Sequence, residues 1–217
     1  GEIVVDYETG GGNTNSRPAD IITSNGYTWA FSDTEPMFVN SGQNRTIYGG
    51  VTSSWSVATN YVPEVQLLNG QIWTRVNPDN FSATTLKGMY VWPKEEFLLG
   101  SNGTVSFTNG NLMSFSIQFQ WGGGECRFVV KQGGTYYASD ANAPSGILAI
   151  DPSDPSVNWA PISTNDYTVD TFAYAPMSFT DIEAVGITYD YSKPDTADVG
   201  CWVSYNDFKV RANVDIP

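Results

Sequence analysis

Leu112-Met113-Ser114-Phe115-Ser116-Ile117-Gln118-Phe119-Gln120-Trp121 alternates strictly between apolar and polar side chains. Met113, Phe115, Ile117, Phe119 and Trp121 fall on one side of an extended chain, and Ser114, Ser116, Gln118 and Gln120 on the other. On a helix the same residues would scatter around the whole circumference, so the period of two specifies a half-buried β-strand. Gly122-Gly123-Gly124 follows as a turn. Glu125 to Lys131 reads as the return strand of a hairpin, and Thr135 to Ser139, after Gly133-Gly134, as the third strand of a meander.

Working outward, further strands are expected over Ile3 to Glu8, Tyr27 to Phe31, Gln71 to Val76, Lys87 to Trp92, Thr104 to Phe107, Ile182 to Tyr191 and Gly200 to Arg211. Asn69-Gly70, Asn102-Gly103 and Asn109-Gly110 punctuate them as turns. The loosest segments are Gly10 to Ser16, Ala141 to Gly146 and Asp151 to Ser156. The last reads Asp-Pro-Ser-Asp-Pro-Ser, a poor strand and a good turn. The one helical turn expected is Pro93 to Leu98. Many short strands with turn signals between them argue for an all-β sandwich or barrel, and an antiparallel β-sandwich is the expectation. The length of 217 residues suits one domain over residues 1–217. Tyr27, Trp29 and Phe31, in phase with one another, are expected in its core.

Charge excludes whole classes of partner. The chain carries 10 basic and 23 acidic residues, a net charge of −13. Nucleic-acid binding needs a basic footprint, which is missing, and an anionic membrane surface is disfavoured for the same reason. No apolar run approaches the ~20 residues of a membrane-spanning helix. Gly1-Glu2-Ile3 already reads as strand, so the numbering is expected to start after a removed leader or at a module boundary. A secreted or cell-surface monomer is the expectation. Cys126 and Cys201 are either a long-range disulfide or two buried thiols. Asn44-Arg45-Thr46, Asn80-Phe81-Ser82 and Asn102-Gly103-Thr104 are glycosylation sequons.

The ends of the chain carry a resemblance. Asp6-Tyr7-Glu8 in the first strand, Asn206-Asp207-Phe208-Lys209-Val210 in the last, and Asp181-Ile182-Glu183-Ala184-Val185-Gly186-Ile187 before it resemble the corresponding strands of jelly-roll carbohydrate-binding modules and concanavalin-like domains. The segment from Phe115 to Tyr137 has the same look. The resemblance covers the two ends and the second half; Asn40 to Leu99 aligns with none of it. It implies a jelly roll whose termini meet in one sheet, a polysaccharide as partner, and a structural calcium shared by an early and a late acid, here Glu8 and Asp207. Calcium takes oxygen ligands and needs neither His nor Cys.

Catalytic constellations are scarce. With no His in the chain, Ser-His-Asp and Cys-His chemistry is excluded and the commonest zinc ligand is missing. The Glu-x-Asp-x-x-Glu strand of jelly-roll β-glucan hydrolases does not occur, although Glu64, Glu95, Glu96, Glu125, Asp181 and Glu183 are available as carboxylates. A polysaccharide-degrading enzyme and a surface-layer or adhesin domain remain the alternatives.

Sugar binding is the leading reading. Pyranose rings offer apolar C–H faces to flat aromatic rings, and their hydroxyls need planar polar partners. In Gln71 to Val76, Ile72 and Val76 share one face while Gln71, Trp73 and Arg75 share the other. If the aliphatic face is core, Trp73 is presented beside Arg75. Tyr90 and Trp92 alternate with Met89 and Val91, so this aromatic pair is expected to face outward and join the binding surface. Gln118 and Gln120 line the polar face of the deciding strand, and Trp159 follows the proline-rich turn, where a loop edge would expose it. Arg127 and Lys131 are in phase with each other on the neighbouring strand.

Overall fold

The computed structural model describes residues 2–7, 13–14, 21–40, 45–58, 63–68, 71–76, 83–97, 102–120, 123–195 and 201–217. Within them the strands are, in chain order, β1 (Glu2–Tyr7), β2 (Asn13–Thr14), β3 (Ile21–Thr23), β4 (Gly26–Ser32), β5 (Phe38–Asn40), β6 (Arg45–Trp55), β7 (Glu64–Leu68), β8 (Gln71–Val76) and β9 (Thr84–Pro93). A helical turn, α1 (Lys94–Phe97), sits where Pro93 to Leu98 is expected to curl. The second half adds β10 (Thr104–Ser106), β11 (Leu112–Phe119), β12 (Glu125–Gln132), β13 (Thr135–Ala143), β14 (Gly146–Ile150), β15 (Trp159–Pro161), β16 (Ala184–Lys193) and β17 (Cys201–Asp215).

Two sheets result. One runs β14-β11-β17-β8-β7-β2, with β1 and β10 also paired to the long β17; the other runs β15-β13-β12-β16-β9-β6-β4-β3, with β5 on β6. The apolar sides of the two sheets face each other. Phe115 of β11 meets Phe128 of β12 at 4.7 Å, Trp92 of β9 lies 4.8 Å from Phe208 of β17, and Phe119 stacks on Tyr191 at 4.8 Å. The chain passes back and forth between the sheets, the winding of a jelly roll. Its two ends pair in one sheet, with Tyr7 opposite Phe208.

The expected hairpin after Gly122-Gly123-Gly124 does not form. β11 pairs with β14 and β17, whereas β12 pairs with β13 and β16. The glycine segment carries the chain across the sandwich. Both strands have an aromatic side, and placing them in opposite sheets turns Phe115 and Phe128 toward each other across the core. At Gly124 a Cβ would lie 2.5 Å from the Asp190 carbonyl and 2.9 Å from the Phe119 ring, so the crossing passes too close for any side chain. Ala141 to Gly146, expected to be loose, instead ends β13 and opens β14.

The core holds a hydrogen-bonded polar thread. Tyr90 bonds Thr74 and, at 2.8 Å, Tyr189. Tyr205 donates to the Thr188 carbonyl at 3.2 Å and leaves its oxygen to accept from the Cys126 thiol at 2.7 Å. Such pairing removes the cost of burying hydroxyls among rings. Cys126 and Cys201 are free, buried thiols. Burial raises both, Cys126 well above the usual thiol value and Cys201 to about 12.

The nine-stranded sheet is buried on its outer side as well. Residues 162–169 cross it and set Ile162 and Tyr167 on Met89, Val91, Val129, Tyr136 and Ala138. This corrects the core assignment of Phe31. A register shift in β4 between Trp29 and Ser32 separates Phe31 from Trp29, and its ring meets the edge of Tyr136 in this outer cluster. Tyr27 and Trp29 are in the main core as expected.

Candidate functional site on the eight-stranded sheet

The outer side of the eight-stranded sheet is polar because each of its central strands alternates. β8 buries Ile72, Thr74 and Val76 and turns Gln71, Trp73 and Arg75 outward. β17 buries Cys201, Val203 and Tyr205, which leaves Trp202 and Asn206 outside. β7 presents Glu64 and Gln66 around buried Val65, and β11 presents Ser116 and Gln118.

Antiparallel register then builds rows, since residues directly opposite each other share a face. Gln118, Ser204, Trp73 and Gln66 form one row across β11, β17, β8 and β7; Trp202, Arg75 and Glu64 form the next. Asn206 and Gln71 are opposite each other in the row beyond. Diagonally between the rows the Trp73 and Trp202 indoles meet edge to face, 5.6 Å apart at 68°. Beside them Arg75 Nη2 donates to Glu64 Oε2 at 2.7 Å, and Gln66 Nε2 donates to Glu64 Oε1 at 3.0 Å. Ser204 donates to Gln71 Oε1 at 3.3 Å. Trp73 Nε1 and Asn206 Oδ1 are shielded from water and have no hydrogen-bond partner.

Four of the residues expected to bind therefore come together. Trp73, Arg75 and Gln118 share this face, and exposed Gln120 extends it at the end of β11, where its N–H bonds the Trp202 carbonyl at 3.1 Å. Tyr90, Trp92 and Trp159 do not belong here: all three are buried in the core. β9 is central in its sheet and covered on both sides, so its alternation divides two interiors rather than inside from outside. Trp159 sets its ring against Phe179 at 5.0 Å instead of lining a loop edge. Trp202, Gln66 and Asn206 share this face although the sequence reading does not single them out. Trp202, Ser204 and Asn206 alternate with Cys201, Val203 and Tyr205, and that phase was the available signal.

Asp207 is exposed at φ +55°, in the bulge where β17 changes partner from β8 to β1. Glu8, its proposed companion, lies outside the described residues, as do Trp121, Asn44 and Asn80. Asn102 is exposed.

Carboxylates gather at the opposite face. Lys131 Nζ lies 3.3 Å from Asp33 and 3.6 Å from Glu183, beside a furrow that also holds Tyr48, Glu95 and Glu96. Burial, and then Asp33, push the Tyr136 phenol up. The ammonium sits between the two acids and neutralises their mutual repulsion.

No family model matches the chain, and no curated protein matches it. Among solved structures it is similar to the family 11 carbohydrate-binding module of the cellulosomal cellulase Lic26A-Cel5E of Clostridium thermocellum. The two share 10% sequence identity with a TM-score of 0.29, over 90% of this chain and 95% of that one. No helix among the described residues is long and apolar enough to cross a membrane.

Proposed function

We propose that the protein is an extracellular, non-catalytic carbohydrate-binding module that takes a polysaccharide chain across the outer face of the eight-stranded sheet. The observation that carries this reading is the Trp73–Trp202 pair set among Gln66, Gln71, Gln118, Arg75 and Glu64 on an open sheet face. Indole planes supply the apolar contact for pyranose C–H faces, and amide, carboxylate and guanidinium groups supply partners for equatorial hydroxyls. Adjacent strands lie about 4.8 Å apart, so the rows set polar groups at close, even intervals along a chain crossing the strands. Trp73 Nε1 and Asn206 Oδ1, which have no hydrogen-bond partner within the fold, belong to side chains of this same face.

The test is affinity electrophoresis of the wild type and of Trp73→Ala through gels containing soluble xylan, galactomannan or hydroxyethyl cellulose. The wild type is retarded by at least one of these. Trp73→Ala weakens binding by roughly tenfold or more. Unretarded migration in every gel, or wild-type retardation of the variant, removes the reading.

Calcium held by Glu8 and Asp207 is part of the same proposal, supported by the pairing of the terminal strands beside them. EDTA lowers the melting temperature if the ion is structural, and added calcium restores it; an unchanged melting curve removes the ion from the proposal.

A further inference from the structure

At one end of the opposite face lies a cavity of about 210 Å³ lined by Lys87, Glu125, Arg127, Thr168, Thr171 and Asp190. At ~30 Å³ per water it has room for about seven waters, the space of one hexose ring with its hydroxyls. Its floor is a row across three strands, Glu125 of β12, Asp190 of β16 and Lys87 of β9, with Arg127 and Thr188 in the next row. Arg127 is fixed by donating to the Ser139 and Asp140 carbonyls at 2.8 and 2.9 Å and to Glu125 at 3.3 Å. Lys87 pairs loosely with Asp190 at 3.7 Å.

A second observation lies one residue from the lining. Next to Thr171, Phe172 is fully exposed, so its ring contributes no burial to the fold. The turn carrying it is nevertheless held in place: Ala173 N–H bonds the Asp170 carbonyl, Asp170 N–H the Pro161 carbonyl, and Ala175 N–H the Trp159 carbonyl. An exposed aromatic on a fixed turn, one residue from the lining of a polar cavity, offers a stacking plane near a hydroxyl-binding recess.

We infer that this cavity and Phe172 form a second glycan site, separate from the tryptophan face, that takes a single uncharged pyranose unit of a neutral polysaccharide. The charges select for neutrality. Two cations and two anions line one small recess, so an anionic ligand meets Glu125 and Asp190 and a cationic ligand meets Lys87 and Arg127. A polyol uses both signs, accepting from the cations and donating to the carboxylates.

The experiment follows the amide resonances of the intact, isotopically labelled chain during titration with hexaoses of β-1,4-linked glucose, xylose or mannose. The amides of Thr168, Thr171 and Asp190 move with at least one sugar. Phe172→Ala weakens that curve by about fivefold or more without shifting the melting temperature, since the ring touches nothing. Asp190→Asn weakens it too. Motionless cavity amides with all three sugars, or a smaller change in Phe172→Ala, overturn the inference. Trp73→Ala separates the two sites. In Trp73→Ala the cavity shifts persist; in the wild type, cavity shifts seen while the amides of Gln66, Trp73 and Gln118 stay still leave this site standing and end the sheet-face proposal.

Discussion

Two tryptophans of the same chemistry have opposite uses here. Trp92 is buried against Phe208, and Trp92→Ala removes a core indole at a cost of about 3–5 kcal/mol. Denaturant unfolding is the measurement, and the expected midpoint falls well below wild type while the folded fraction keeps its sugar affinity. Trp73→Ala is expected to do the reverse, losing affinity with little loss of stability. The buried tyrosines make a second prediction. Burial raises Tyr90, Tyr189 and Tyr205, and the coulombic and hydrogen-bond influence of neighbouring groups adds to the rise for Tyr189 and Tyr205. A raised folded value means the protonated form is bound more tightly in the native state. The stability this gives is complete below the usual phenol value of 10.0 and is lost as pH climbs past it toward the folded values. Absorbance titration should therefore show these three phenols ionising only with unfolding; their reversible titration in a still-folded chain would contradict the burial.

At the scale of elements, the strands that alternate against one core were legible, β8, β11 and β17 among them, and β4, β12 and β16 also lie where strands are expected although the last two are buried on both sides. β6 was not, because Gly49-Gly50 and Ser53-Ser54 interrupt its apolar pattern. The glycines have a tertiary reason that no local pattern contains. At Gly50 a Cβ would collide with the Tyr167 hydroxyl and the Phe31 backbone, so the crossing segment packs on bare backbone. Gly50→Ala is expected to cost about 1–3 kcal/mol by overpacking and to raise hydrogen exchange across residues 162–169. Sheet membership was illegible for a related reason. A glycine run is equally compatible with a tight hairpin and with a crossing, and only the need to bring Phe115 onto Phe128 decides between them. For the candidate site, phase put Trp73, Arg75 and Gln118 on one outer face, and it failed at Tyr90 and Trp92 because residues 162–169 supply a second interior. The Asp151 turn gives an acid-side prediction. Burial raises this carboxyl, but bonds from the Gly110 N–H and from both Ser153 donors outweigh it and hold the carboxyl below its usual 3.8. A depressed carboxyl contributes stability above 3.8 that is lost as pH falls through the lower folded value. Asp151→Asn should flatten the acid limb of the stability curve, read as melting temperature against pH; an unchanged limb would place the acid sensitivity elsewhere.

Over the whole molecule, the two proposed sites lie on opposite faces of one sandwich, separated by the aromatic core. A net charge of −13 makes copies repel one another, and scattering of the protein alone is the baseline against which association in the presence of sugar is read. Each molecule would then bridge two polysaccharide chains, and bridging has a signature that single-site binding lacks. Light scattering of soluble xylan, galactomannan or hydroxyethyl cellulose should rise as protein is added. It should pass through a maximum near the ratio where each molecule holds two chains, and fall once excess protein occupies every chain singly. Trp73→Ala and Phe172→Ala each leave one face competent, so each should still bind the polysaccharide while abolishing the maximum. Scattering that stays flat for the wild type under saturating retardation in gels would mean that only one face engages a chain at a time. A maximum surviving in either variant would mean that cross-linking proceeds through a surface other than these two.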